Sequence, residues 1–204
     1  MTVERTTVRT TDSPAPTATG TPAATTPTAT LRKLYLARFA FALVWAGVVL
    51  SMADTLGGLT AALLVLYPLV DVAAAVVDAR ASRAAGATRR SLTGLHVNVA
   101  VSLLTAVAVG VAATSGIPAV LRVWGAWAVV AGLVQLVVAV RRRRAGGQWP
   151  LIVSGAVSTL AGASFIASAG TGDPTLSGAA GYAVPGGIFF LVSALRLGRS
   201  ARNR

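Results

Sequence analysis

The chain has 204 residues, 54% of them hydrophobic and 12% charged, with a mean hydropathy of +0.71. Eighteen Lys and Arg against six Asp and Glu give a net charge of +12, with no Cys and one His. These values exclude an ordinary soluble domain, disulfides, thiolate metal sites and Fe–S clusters, and leave no set of histidines, so neither metal nor cofactor is expected.

Residues 1–30 hold twelve Thr and four Pro and almost no large apolar side chain. Such a segment buries too little surface to offset the entropy of ordering, so a disordered tail is expected. A glycosylated, mucin-like stalk is the rival reading of the same composition. The segment lacks the apolar stretch of a signal peptide and is expected to stay on the mature chain.

Crossing about 30 Å of hydrocarbon at about 1.5 Å per residue takes roughly 20 apolar residues. Six such segments follow, predicted at 34–53, 56–77, 92–114, 119–140, 150–169 and 176–197. Residues 78–91 form a connection between the second and third. Ser115-Gly116-Ile117-Pro118 turns the chain into the fourth, and Asp173-Pro174 lies in the turn before the sixth. The predicted class is an all-α membrane protein with a Thr/Pro-rich tail (1–30), a six-helix transmembrane domain (31–198) and a basic C-terminal tail (199–204).

Seventeen of the eighteen Lys and Arg fall on one side of these spans. They are Arg5, Arg9, Arg32, Lys33 and Arg38, then Arg80, Arg83, Arg89 and Arg90, then Arg141–Arg144, then Arg196, Arg199, Arg202 and Arg204. The opposite turns contain none, and Arg122 lies toward that face inside the fourth span. Positive charge is retained in the cytoplasm, so both termini are expected there, which disfavours a glycosylated stalk. The predominance of Ala, Gly and Arg, with one Lys, suits a GC-rich bacterial genome, so the expected location is a bacterial cytoplasmic membrane. The Arg clusters are expected to meet anionic lipid headgroups. They are too short, and lack the interleaved aromatics, for nucleic-acid binding.

An internal repeat is visible. Trp127–Arg141 aligns without gaps on Tyr182–Arg196, with seven of fifteen positions identical, among them Gly132/Gly187 and Arg141/Arg196. Val101-Ser102 and Val157-Ser158 match at a similar interval, so the unit is a hairpin of two helices. Aligning Arg80 on Arg141 brings in the second helix, with Asp71 at the glycine position. Three tandem hairpins in one orientation follow, since a unit with an even number of helices repeats without inverting.

Trp149–Ala167, the turn with Asp173-Pro174 and Gly181–Leu197 resemble the tandem hairpin repeat of the HdeD/DUF308 family of acid-resistance-type membrane proteins. Arg38 followed by Trp45-Ala46-Gly47 resembles the opening of that pattern, and the likeness covers roughly residues 34–197. It implies a non-enzymatic integral membrane protein contributing to stress or acid tolerance, with self-association through its helices. It carries no catalytic residues.

Polar side chains inside spans are the pointers to function, because lipid offers them no water. Asp71 leads, placed about seven residues from the inner end of its span. An isolated carboxylate there is costly unless it is protonated, wet or paired. Arg38 lies at comparable depth and is its expected partner, in a structural pair or as part of a proton- or ligand-binding site. His96 changes charge in mild acid and is a candidate pH sensor, against the plainer reading of a helix-end His with a water or carbonyl partner. Asn98 lies about 200° round the helix from His96 and shares a face with Ser102 and Thr105. Gln135 sits at the same inner depth.

Arg38, Asp71, Gln135 and either Asn98 or His96 are therefore expected to form one polar layer. A small transporter or channel using it is the alternative to the stress-tolerance reading. Arg122 is expected to snorkel to headgroups or pair with Asp54 or Asp173, rather than to bind an anion. Ser154-x-x-x-Ser158-x-x-x-Gly162 and Ala179-x-x-x-Ala183-x-x-x-Gly187 read as helix-packing ridges, and the four Trp as anchors and packing residues.

Overall fold

The computed structural model describes residues 27–141 and 149–202. Six helices follow in order: α1 (Pro27–Leu50), α2 (Gly58–Ala84), α3 (Arg89–Ala113), α4 (Ile117–Arg141), α5 (Trp149–Ser168) and α6 (Ser177–Arg202). Each contains a stretch long and apolar enough to cross a membrane. Most of the Thr/Pro tail, Arg142–Arg144 and Arg204 lie outside the described residues.

The helices overrun the predicted spans at charged ends. The hydropathy pattern stops the second span before Asp78, yet α2 runs on to Ala84. It continues because Asp78 is tied in place, its carboxylate accepting from Tyr35 Oη and from Ser82 Oγ, both at 3.1 Å. α2 then closes in a Schellman turn. The amide of Ala87 donates to the Ser82 carbonyl and that of Gly86 to Arg83, both at 3.0 Å, with Gly86 at φ +88°. Gly116 at φ +97° makes the α3–α4 turn. α1 starts at Pro27, inside the expected tail, where the missing N–H of proline costs nothing in a first turn. α6 extends through Arg202, into the expected C-terminal tail.

Successive helices run antiparallel and form three hairpins arranged as a closed ring, with α6 packed back on α1. The tightest packing joins hairpins rather than lying within them: α2 on α3, α4 on α5 and α6 on α1 are close, and the two helices of each hairpin are looser. One end of the ring carries the termini and the α2–α3 connection; the other carries residues 51–57, 114–116 and 169–176. These are called here the terminal end and the turn end.

Glycines explain the α4–α5 contact. A Cβ on Gly125 would sit 2.5 Å from the Gly162 carbonyl oxygen, and one on Gly132 would sit 2.7 Å from that of Gly155. Helix association in lipid relies on such backbone approach, since no hydrophobic driving force separates helix from lipid. Gly132 and its repeat mate Gly187 occupy corresponding seams: Gly187 lies against α1, with a Cβ there 3.2 Å from that of Ala42. The Ala179–Ala183–Gly187 ridge thus packs on helices as expected. In α5, by contrast, it is Gly155 and Gly162 that meet α4.

The buried apolar core fills the turn end of the ring. Trp45 and Val49 of α1, Leu64 of α2, Val109 of α3, Trp124 of α4, Phe165 of α5 and Leu176 just before α6 all belong to it. The Trp45 and Trp124 rings stack with centroids 5.4 Å apart, and Tyr67 packs on both. The Trp45 indole donates to the carbonyl of Leu63 at 2.6 Å, beside the stretch where Pro68 interrupts the α2 ladder. Outside the ring, Leu104, Val107 and Val111 of α3 and Leu160 of α5 are exposed, as a lipid-facing surface requires.

Gly162→Val should lower stability by about 3 kcal/mol, because β-branched bulk has no space at this seam. Gly47→Ala, where nothing lies within 4 Å, should leave stability unchanged or raise it by less than about 1 kcal/mol. Equilibrium unfolding in mixed micelles checks this, and equal tolerance of both changes contradicts the packing described.

Candidate functional site

Because the core fills only the turn end, the terminal half of the ring encloses a cavity of about 360 Å³. All six helices line it, and its floor includes Tyr67 and Trp127, which also pack on the aromatic core. Leu151 and Arg196, both exposed, form part of its rim toward the terminal end.

The wall is organised by Asp71. One carboxylate oxygen, Oδ1, is ion-paired with Arg38 Nη2 from α1. The other, Oδ2, accepts from Asn98 Nδ2 and Ser102 Oγ of α3, both at 2.7 Å. Ser102 is fully buried, and the side chains of Arg38 and Asp71 are 18% and 10% exposed. The guanidinium carbon of Arg38 also sits 3.9 Å above the Phe190 ring of α6, a cation–π contact. One carboxylate therefore links α1, α2 and α3, and its cationic partner reaches α6. Across the cavity Ser158 Oγ of α5 is hydrogen-bonded to Tyr182 Oη of α6, and Gln135 and Ser154 complete a polar side.

Of the residues expected in one polar layer, Arg38, Asp71, Asn98 and Gln135 all line this cavity. His96 does not; it is exposed on α3, on another face from Asn98. Arg122 is exposed on α4 and forms no ion pair with Asp54 or Asp173 among the described residues. Asp71 lies deeper than its span suggested, at the midpoint of the 27-residue α2, because the helix extends beyond the residue taken as its end.

Residues 97–167, which run from α3 to the end of α5, match DUF308, a short repeat of unknown function. The chain is a DUF308-containing multi-span membrane protein. No curated protein and no solved structure matches it. The matched segment supplies Asn98, Gln135, Ser154 and Ser158 to the cavity and Ser102 to the Asp71 carboxylate behind its wall, and the Arg38–Asp71 pair lies outside it. The chain thus carries its ion pair on the first hairpin, and the other two add neutral polar groups and, at the rim, Arg196.

Several lining residues escaped the reading of single helices: Tyr67, Tyr182, Phe190, Ser193 and Arg196. The repeat held a usable signal for some of them. Trp127 and Tyr182, Ala131 and Gly186, and Gln135 and Phe190 are matched pairs in that alignment, and both members of each pair line the cavity. One member placed in the wall would have placed the other.

Removing one partner of the buried pair leaves an uncompensated charge, a cost of about 3–5 kcal/mol. Arg38→Leu and Asp71→Leu should each destabilise the protein by about that amount, and the double substitution should recover most of the loss. Thermal unfolding in one detergent reads all three; additive losses in the double variant contradict a direct pair.

Proposed function

We propose that the protein is a non-enzymatic solute carrier of the membrane, whose chamber holds the polar group of a small solute beside the Arg38–Asp71 pair. The observation that carries this reading is the cavity of about 360 Å³, lined by every helix of the ring and closed at one end by the aromatic core. That volume lies in the range of small-ligand sites, and an apolar wall with a few convergent polar groups is how such sites orient a ligand. A chamber reached from one end and sealed at the other by a packed layer is what alternating access needs in one of its two states. Asp71 suits a binding wall better than a proton-abstracting base, since both its oxygens are occupied by donors from three side chains.

The basic clusters support placing the terminal end, and with it the chamber mouth, toward the cytoplasm of a bacterial cell, with Arg side chains against anionic headgroups. The acid-tolerance role implied by the family resemblance has no group in the chamber to carry it: His96, the candidate pH sensor, does not line the chamber.

The chain lacks Cys, so single cysteines can be placed without background. In proteoliposomes of defined orientation, Ser193→Cys in the chamber wall should react with a membrane-impermeant maleimide added at the terminal side and not at the turn side. Labelling from neither side means a chamber closed to water and contradicts the carrier reading.

A further inference from the structure

The ring has one weak seam that leads to the charged pair. α1 and α2 pack more loosely than either packs on its other neighbour, and a groove of about 240 Å³ runs between them. Its walls are Leu34, Ala37 and Phe41 on α1 and Val70, Ala73 and Val77 on α2. The i, i+3, i+7 spacing on both helices makes the groove two turns long, about 10 Å. Arg38 is the only polar residue lining it.

Arg38 also lines the chamber. A third, water-sized pocket of about 10 Å³ is bounded by Arg38, sharing Tyr67, Asp71 and Phe190 with the chamber and Phe41 and Val70 with the groove. Three cavities are therefore strung on one side chain. That residue borders both the apolar slot between α1 and α2 and the chamber with its few convergent polar groups.

The hydrogen bonding of the pair is lopsided. Asp71 accepts from three side chains, so its oxygens have little left to offer a ligand. Arg38 has five N–H donors and gives only Nη2 to Asp71; its Nε and Nη1 groups have no acceptor among the described residues. Arg196 adds a second positive charge at the rim. What the pair still presents is donors and positive charge, next to a slot shaped for hydrocarbon.

We infer that the ligand is an amphiphilic carboxylate that enters sideways from the lipid between α1 and α2, its head on the free N–H groups of Arg38 and its tail along the groove. The inference rests on the carrier reading, since it names what the chamber takes. A water-soluble anion would use Arg38 but leave the groove without a role, and an uncharged chain would do the reverse. Only a molecule with both parts uses the whole surface. The guanidinium fork matches a carboxylate, and the apolar walls of the groove take its tail without exposing it to the chamber's polar groups.

The test uses the full chain in nanodiscs, with Trp127 of the chamber as an internal reporter, and three probes: decanoate, decanol and acetate. Decanoate should bind saturably and change the tryptophan fluorescence, with decanol and acetate at least tenfold weaker. Ala37→Phe or Ala73→Phe, each at an exposed groove position, should weaken decanoate at least tenfold while thermal unfolding stays unchanged. Arg38→Leu combined with Asp71→Leu, which avoids a lone buried charge, should abolish its preference over decanol.

Decanol binding as tightly as decanoate overturns the role given to Arg38, and decanoate binding unaffected by groove filling overturns the role given to the groove. Acetate binding as tightly as decanoate overturns the amphiphile and leaves the chamber a ligand site. If none of the probes binds while Ser193→Cys is labelled from the terminal side, the amphiphile falls and the carrier reading stands; failure of that labelling removes the carrier reading itself.

Discussion

A single carboxylate at the middle of α2 holds the first half of this ring together. In hydrocarbon an unpaired Asp has no water to turn to, so the fold must supply every partner that solvent would have supplied. It does so from two neighbouring helices: Arg38 on α1, Asn98 and Ser102 on α3. α1 and α2 are otherwise loosely packed, and the Arg38–Asp71, Tyr35–Asp78 and Trp45–Leu63 contacts are polar ties across that seam. The other hairpins have no buried ion pair among the described residues, and their tight seams rest on glycine and alanine instead.

This division of labour produces the chamber. Where glycines face each other, as at Gly125–Gly162 and Gly132–Gly155, backbones touch and the helices leave no room between them. Where large aromatics meet, as at Trp45, Tyr67 and Trp124, the ring is filled at its turn end. In the terminal half many inward residues are small or polar, among them Ser154, Ser158, Ser193, Ala131 and Gly186, and a cavity remains between the helices. The cavity is therefore the space that six helices enclose when their close contacts are directed sideways to neighbours rather than inward.

Much of this was legible in the amino-acid sequence, for identifiable reasons. Six spans and the hairpin unit follow from apolar run lengths and from the Gly132/Gly187 match. The depth of Arg38, Asn98 and Gln135 follows from counting residues, and their convergence with Asp71 in one cavity follows from the ring, which no single helix reveals. Angular position was readable within α3: Asn98 and Ser102 share a face and His96 does not, and the structure separates them accordingly. Absolute depth was not readable in α2, because a charged residue such as Asp78 marks a helix end only when it is unpaired. The choice of tight neighbours was hidden too, since the α4–α5 seam depends on a Gly125/Gly132 pair meeting a Gly155/Gly162 pair on a different helix.

The claim on which the rest stands is that Asp71 and Arg38 touch inside the bilayer. Solid-state NMR on the chain in lipid, with carboxyl-labelled Asp and guanidinium-labelled Arg, measures it through the dipolar coupling between the two labels. The account predicts a strong coupling at contact distance that disappears in Arg38→Lys, where no guanidinium nitrogen remains at that position. A wild-type spectrum in which no Asp carboxyl carbon couples to a guanidinium nitrogen would contradict it.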